Sequence, residues 1–327
     1  MSRPRVLVTR NIPANGLERL RPHVDLSVWD EAEPMGRETL LESVPGCQGL
    51  LSMPTDRIDA ELLDAAGPPL RVVSNFAVGY NNIDVAELKR RGVAAGNTPD
   101  VLTDATADIA VLLLMAAARR VKEATEQVRQ GEWRTWEPTG LLGADLVGRT
   151  LGIVGMGRIG AATAKRLVSG WEMRLLYTSR REQPDVDARL GGRRVPLERL
   201  LAESDFVSVH TALTEQTTGM FDAAAFGQMK PGAVFVNTSR GGVVDQAALL
   251  AALELGQIRA AGLDVTTPEP LPANHPLVLH PRCFVLPHIG SATDQSRAAM
   301  AEIAADNLLA GLRGRPLRCP IPDPAGH

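Results

Sequence analysis

Apolar runs and helical stretches alternate twice along this chain. From Arg5 to Asn97, short β-branched or apolar runs ("RVLVT", "VDLSVW", "CQGLLS", "RVVSNFA", "GVAAGN") are separated by stretches of helical spacing such as "NGLERLRP", "AELLDAAG" and "DVAELKRRG". That rhythm predicts βαβ units around a parallel sheet. After "NTPD", Val101 to about Gln130 carries one long helical pattern, with acids at its start and Arg119, Arg120 and Lys122 further along, which predicts a helix bridging two domains. A second alternation runs through "RTLGIVG", "MRLLYTS", "DFVSVH", "AVFVNTS", "AAGLDV" and "CFVLPH". A last helical pattern from Asp294 to about Leu312 ends at "GRPLRCPIPDP", whose prolines cannot continue a helix.

A length of 327 residues fits two domains, each large enough to bury its own core. The net charge of −3, with acids and bases interspersed, leaves no basic face for nucleic-acid phosphates or anionic lipid, so neither is expected as a partner. Cys47, Cys283 and Cys319 are widely spaced and odd in number, which argues against a disulfide framework and for a reducing, cytoplasmic setting. The start "MSRPRVLVTR" lacks the apolar core and cleavage site of a signal peptide. The longest apolar run, Ile109 to Ala118, falls far short of the roughly 20 residues that span a bilayer. A soluble protein is expected.

The segment "TLGIVGMGRIGAATAKRL" places Gly155, Gly157 and Gly160 in G-x-G-x-x-G spacing, after a strand and at the opening of a helix. The first two glycines permit a tight turn and close backbone approach to a pyrophosphate. The third lets helix and strand pack, and the helix N-terminus favours the anion. Ile159, Ala162 and Leu167 are expected to form the apolar face of that helix. Which dinucleotide binds is decided about 20 residues on, where a carboxylate normally accepts from the ribose 2′-hydroxyl. Here, 19 residues past Gly160, stands Ser179, followed by Arg180 and Arg181. Guanidinium groups beside a 2′-phosphate favour NADP(H), with NAD(H) still possible, although the same arginines fit an ordinary solvated loop.

Of the six histidines, His275, His280 and His288 fall with Cys283 inside "HPLVLHPRCFVLPH". The run departs from the paired ligand spacing of a zinc site, so no metal is expected: His275 and His280 read as surface or capping residues and Cys283 as a small buried hydrophobe. His288 differs, because it follows Pro287 at the carboxyl end of a strand, the edge where open α/β sheets bind ligands. Delivering a proton to a developing alkoxide suits a group that titrates near neutrality. Glu269 in "TTPEPLP" could orient that imidazole, and Arg240 in "VNTSRGGVVD" could grip a small carboxylate with two parallel bonds. Taken singly, Arg240 also fits a structural ion pair and Glu269 a solvated loop acid; their convergence on one edge favours chemistry.

Together, "LGIVGMGRIG", "VNTSRGGVVD", "AAGLDVTTPEPLP" and "LPHIGSAT" resemble the D-isomer-specific 2-hydroxyacid dehydrogenases, and most of all their glyoxylate and hydroxypyruvate reductase branch. The likeness extends to "VGYNNIDV", "NTPDVLTDATADIAVLLLMAAARR" and "NLLAGLRG", nearly the whole chain. It implies a Rossmann-type doubly wound domain over residues 101–290, inserted into a smaller flavodoxin-like α/β substrate domain of residues 1–100 and 291–327. The implied catalytic set is His288 as acid/base, Glu269 as its partner, and Arg240 as anchor and polariser of the carbonyl. Backbone N–H groups of Val78 and Gly79 would bind the substrate carboxylate, with Leu51 and Ser52 lining the same wall. Thr106, Arg158, Ile159, Ser179, Arg180, His210, Thr217, Asp264 and Gly290 fall at the family's cofactor contacts, Asp264 at the nicotinamide amide. The resemblance also implies a homodimer, with Trp136 of "GEWRTWEP" as a candidate to reach the neighbouring subunit's substrate pocket; filling the interface with Trp133 is the alternative.

The activity so implied is NADPH-preferring reduction of a short 2-keto acid, glyoxylate or hydroxypyruvate, to the D-2-hydroxy acid. A different class, a dinucleotide-sensing corepressor, shares the three polar residues but carries long partner-binding tails, for which 39 residues after His288 leave little room. Formate dehydrogenase relatives carry Gln in place of Glu269. A bulkier 2-keto acid remains open, because one methylene changes discrimination only about 10 to 200-fold.

Overall fold

Residues 3–322 are described in the structure, a computed structural model; the last residues of the Pro-rich tail lie outside them. The chain divides into two compact units, Met1–Leu102 with Ser291–His327, and Thr103–Gly290.

In the first unit the expected runs become β1 (Arg5–Val8), β2 (Asp25–Val28), β3 (Gly49–Ser52), β4 (Val72–Asn75) and β5 (Ala94–Gly96), all parallel in the order β2-β1-β3-β4-β5. This is the flavodoxin-like order, whose reversal lies between β1 and β3. β3 (GLLS) and β4 (VVSN) are buried throughout, so neither alternates, and each ends in buried polar residues at its carboxyl edge. The last helix, Asp294–Leu312, packs on β3, β4 and the helix Ala14–Leu20. Glycines allow the approach: a Cβ at Gly16 would stand 2.8 Å from the Ala301 side chain, and one at Gly311 2.6 Å from Val72.

In the second unit β6 (Thr150–Val154), β7 (Arg174–Thr178), β8 (Arg193–Arg194), β9 (Phe206–Val209), β10 (Val234–Asn237), β11 (Ala260–Leu263) and β12 (Cys283–Val285) form a parallel sheet ordered β12-β11-β10-β9-β6-β7-β8. Counted from β6, this is the Rossmann order 3-2-1-4-5-6 with a seventh strand added, reversing between β6 and β9. On one face Phe235 meets Phe221 and Phe226 edge-on, at centroid distances of 4.9 and 5.3 Å.

Two expectations change. The single helix from Val101 to Gln130 is instead two, Thr103–Ala118 and Val121–Arg129, broken where Arg120 adopts φ 56°. Continuation is blocked because the Ala118 carbonyl accepts from Ala144 N–H at 2.9 Å, and Gly143 packs against that carbonyl. The first helix buries much of its surface, whereas the second buries no residue. The buried face of the helix Arg158–Trp171 runs through Gly160, Thr163, Ala164 and Leu167 rather than Ile159 and Ala162. Gly160 sets that face, since a Cβ there would lie 2.3 Å from the Gly155 carbonyl oxygen.

Candidate active site

The glycine loop forms at the reversal point of the second sheet. Gly155 takes φ +95°, and a Cβ on it would meet the backbone of His210 and Thr211 at 2.8 Å, so only glycine fits between the ends of β6 and β9. Gly157 heads the helix Arg158–Trp171; no side chain caps it, and nothing lies within 4 Å of where its Cβ would be. An uncapped N-terminus with open space in front of it suits a phosphate.

After β7, half-buried Ser179 turns its hydroxyl to the Arg181 carbonyl, while Arg180 and Arg181 are exposed. The loop is held by a residue the sequence reading overlooked: Arg194 of β8 donates from Nε to the Ser179 carbonyl at 3.0 Å and from Nη2 to the Arg180 carbonyl at 3.2 Å. A two-residue strand is too short to announce itself by alternation, which hides Arg194 in the sequence.

His210, at the end of β9, bonds through Nε2 to Ser208 Oγ at 2.9 Å and through Nδ1 to Thr238 Oγ1 at 3.4 Å. Its ring is partly exposed yet deeply set, and desolvation pulls its pKa down to about 3. It is a neutral ring, unsuited to donating a proton at neutral pH. Thr217 closes its own turn, donating to the Ala212 carbonyl at 2.7 Å and accepting from Thr214 N–H at 2.8 Å.

At the ends of β10, β11 and β12 the structure brings Arg240, Glu269, Asp264 and His288 together. His288 Nδ1 lies 2.8 Å from Glu269 Oε2, and Glu269 Oε1 accepts from Thr266 N–H at 2.9 Å. Burial works against the Glu269 carboxylate, but the His288 bond and charge, Thr266 N–H and the Arg240 charge together hold its pKa below the usual value. Burial pulls the Arg240 guanidinium down, with Glu269 opposing; Arg240 Nη1 donates to the Ser239 carbonyl at 2.7 Å. Asn237 braces this strand end, donating to the Arg240 carbonyl and accepting from Ser239. Gly241 lets the next turn lie against Thr266, whose carbonyl oxygen would be 2.0 Å from a Cβ at 241.

Asp264 accepts from Ile289 N–H at 2.7 Å and Gly290 N–H at 2.8 Å, so its carboxylate grips the turn that carries His288, which itself takes φ 54°. Burial raises the Asp264 pKa in spite of those two bonds. Buried Thr106 packs beside this turn, where a Cβ at Gly290 would come 3.3 Å from it.

His275 and His280 are caps. His275 Nδ1 accepts from Leu277 N–H, and His280 Nδ1 from Arg282 N–H, both at 3.2 Å. Cys283 is buried and its thiol is pushed up to about 12. Among the described residues no three His, Cys, Asp or Glu side chains gather as metal ligands. Lys122 Nζ donates to the carbonyls of Val278 at 2.5 Å, His280 at 2.7 Å and Cys283 at 3.1 Å, fastening the base of the strand that leads to His288. Burial lowers the Lys122 pKa.

Residues 111–290 match the model of the D-isomer specific 2-hydroxyacid dehydrogenase NAD-binding domain. A glyoxylate reductase of Korarchaeum cryptofilum is 50% identical over 313 residues, covering 95% of this chain and 94% of its own. The chain belongs to the D-isomer-specific 2-hydroxyacid dehydrogenases. Human glyoxylate reductase/hydroxypyruvate reductase is 48% identical over 315 residues, 96% of each chain. Among solved structures, the NADPH-dependent glyoxylate/hydroxypyruvate reductase of Sinorhizobium meliloti, in complex with NADP and malonate, superposes with TM-score 0.84 at 33% identity, over 98% of this chain and 97% of that one.

As a member of this dehydrogenase family the protein is a nicotinamide-dinucleotide-dependent oxidoreductase. The open face at Gly157, the uncapped helix and the buried Asp264 carboxylate at the same edge fit such a cofactor. In the other unit, Val78 and Gly79 follow β4 on a partly exposed loop, while Leu51 and Ser52 are fully buried beneath it. Ser52 Oγ donates to Asn75 Oδ1 at 3.1 Å rather than facing outward. Trp133 and Trp136 are both largely exposed, and Trp133 Nε1 donates to the Thr135 carbonyl.

Proposed function

We propose that this dehydrogenase reduces glyoxylate and hydroxypyruvate to glycolate and D-glycerate, preferring NADPH, with His288 as proton donor. The observation that carries the reading is the His288–Glu269 pair, 2.8 Å apart at the carboxyl edge of the Rossmann sheet and joined there by Arg240. The bound cofactor supplies hydride to the carbonyl carbon. Glu269 holds Nδ1, which orients the ring and leaves Nε2 to deliver a proton to the developing alkoxide. Arg240 draws charge toward the carbonyl oxygen and pairs with the substrate carboxylate. Val78 and Gly79 N–H groups bind that carboxylate, with Leu51 and Ser52 supporting the wall.

The substrate class is supported by relatives named glyoxylate reductase or hydroxypyruvate reductase at about half identity. NADPH preference is supported by Ser179 in place of a carboxylate, by Arg180 and Arg181 exposed beside it, and by the NADPH-dependent relative from S. meliloti. Gly155, Gly157, Arg158, Ile159 and Gly160 hold the pyrophosphate, and Thr106, His210, Thr217, Asp264 and Gly290 line the rest of the cofactor site. Three free thiols accord with a reducing, cytoplasmic setting. Exposed Val121, Val128, Trp133 and Trp136 accord with a homodimer in which Trp136 reaches the partner's pocket.

The test follows loss of NADPH absorbance with glyoxylate and hydroxypyruvate, in chelator, beside NADH and the His288→Ala variant. Fast, chelator-resistant turnover by wild type that disappears in the variant supports the proposal. Tight dinucleotide binding without turnover of either acid would overturn it.

A further inference from the structure

Three successive carbonyls after β4 are each held by a donor from within the unit. Ala77 O accepts from Thr98 N–H at 2.9 Å, Val78 O from Asn97 Nδ2 at 2.8 Å, and Gly79 O from Asn75 Nδ2 at 2.9 Å. A trans peptide sets its N–H opposite its C=O. The N–H groups of Val78, Gly79 and Tyr80 therefore point away from those donors. Among the described residues none of the three has an acceptor within the chain. Successive backbone N–H groups of a turn that have no internal acceptor are the material of an anion-binding concavity.

The asparagines that aim them are themselves fixed. Asn82 Nδ2 donates to the carbonyls of Met53 at 3.1 Å and Asp56 at 2.9 Å, which settles which way its amide faces. Its Oδ1 therefore accepts from Asn75 Nδ2 at 3.3 Å, and Ser52 Oγ donates to Asn75 Oδ1 at 3.1 Å. With its oxygen so occupied, fully buried Asn75 has to present nitrogen to Gly79. Asn97 is locked through its backbone: its N–H donates to the Cys319 carbonyl, and its carbonyl accepts from Asn307 Nδ2, both at 3.0 Å. Asn307 is tied as well, because its Oδ1 accepts from Cys319 N–H at 2.9 Å.

We propose that Asn75 and Asn97 are positioning residues for the substrate carboxylate: Asn75, through the Gly79 carbonyl, aims Tyr80 N–H, and Asn97, through the Val78 carbonyl, aims Gly79 N–H, beside the Val78 N–H that Thr98 sets. This deepens the reading above, on which it rests, and adds Tyr80 N–H to the carboxylate site. An aspartate at position 75 would turn oxygen against the Gly79 carbonyl and bring negative charge beneath the anion. Asparagine is therefore required here for its donor and not only for its shape.

The experiment uses the full chain with Asn75→Asp and Asn75→Ala. It records kcat and KM for glyoxylate and for its neutral amide, KM for NADPH, and the Kd of unreactive oxalate on the NADP-loaded enzyme. Loss of an aimed N–H to a carboxylate is expected to raise the glyoxylate KM and oxalate Kd roughly 10 to 100-fold. The NADPH KM and the KM for the amide should stay near wild type. Folded variants that keep oxalate affinity, or that worsen acid and amide alike, would overturn the proposal by showing a merely structural role. Should neither variant fold, amide NMR of wild type titrated with oxalate decides: shifts at Val78, Gly79 and Tyr80 support the site, and unmoved signals sink it. Wild type that binds oxalate at this loop yet fails to reduce glyoxylate would remove the activity reading and leave the anion site standing.

Discussion

The two sheets of this protein end in chemically opposite edges. At the carboxyl edge of the seven-stranded sheet stand ionisable groups, His288, Glu269, Arg240 and Asp264, each perturbed or oriented by another. At the carboxyl edge of the five-stranded sheet stand amides: Asn75, Asn82 and Asn97 around backbone carbonyls. Its buried carboxyl, Asp56, is turned inward to Thr9 and Met53 N–H, and burial raises its pKa. The difference follows from the two tasks. Moving a proton requires a group that changes charge near neutral pH. Recognising a carboxylate that stays ionised requires no titrating group, and fixed dipoles beside the Arg240 guanidinium do it without burying a second counter-charge.

Substitutions can break this contrast in a graded way. His288→Ala should cost most, lowering kcat roughly 10² to 10⁴-fold with the NADPH KM little changed; stopped-flow hydride transfer checks it, and a small loss would strip the charged edge of its role. Arg240→Lys keeps the charge but loses the planar fork, and steady-state kinetics with glyoxylate should show kcat/KM down roughly 10 to 100-fold. Replacing Ser179 by Asp together with Arg180→Ala should move the NADPH-over-NADH ratio about tenfold or more toward NADH; an unmoved ratio would return those arginines to the solvent. The smallest effect is expected from Trp136→Ala, a change of roughly 2 to 10-fold in the ratio of glyoxylate to hydroxypyruvate kcat/KM.

Acid should also expose the contrast. Glu269 is held below its unfolded pKa, so the stability it contributes is complete above that unfolded value, about 4.3. It is lost as pH falls through the lower folded value. The melting-temperature gap between wild type and Glu269→Gln should therefore persist at neutral pH and close on acidification below about pH 4.3. A gap that stays constant into acid would mean that Glu269 acts by packing alone.

Most of the strands were legible, though not their order, because buried parallel strands are short and evenly punctuated, as in "RVVSNFA" and "AVFVNTS". His288, Glu269 and Arg240 were legible because each closes a strand or follows one at the same edge, and the structure does assemble them. The break at Arg120 was not, since what ends that helix is Ala144, returning from 26 residues further on to take the Ala118 carbonyl. Asn75 was invisible for the same reason: its meaning lies in Ser52, Asn82 and Gly79, and nothing in "VVSNFA" distinguishes a clamp from an ordinary strand end.

The unit that carries the neutral edge is assembled from both ends of the chain, with the helix Asp294–Leu312 seated on β3 and β4 through Gly49 and Gly311. On the ribosome this reverses the usual order of events, in which N-terminal domains finish first. Thr103–Gly290 is contiguous and can close as soon as it emerges. The five strands made before it must wait until the helix Asp294–Leu312 has followed that whole unit out.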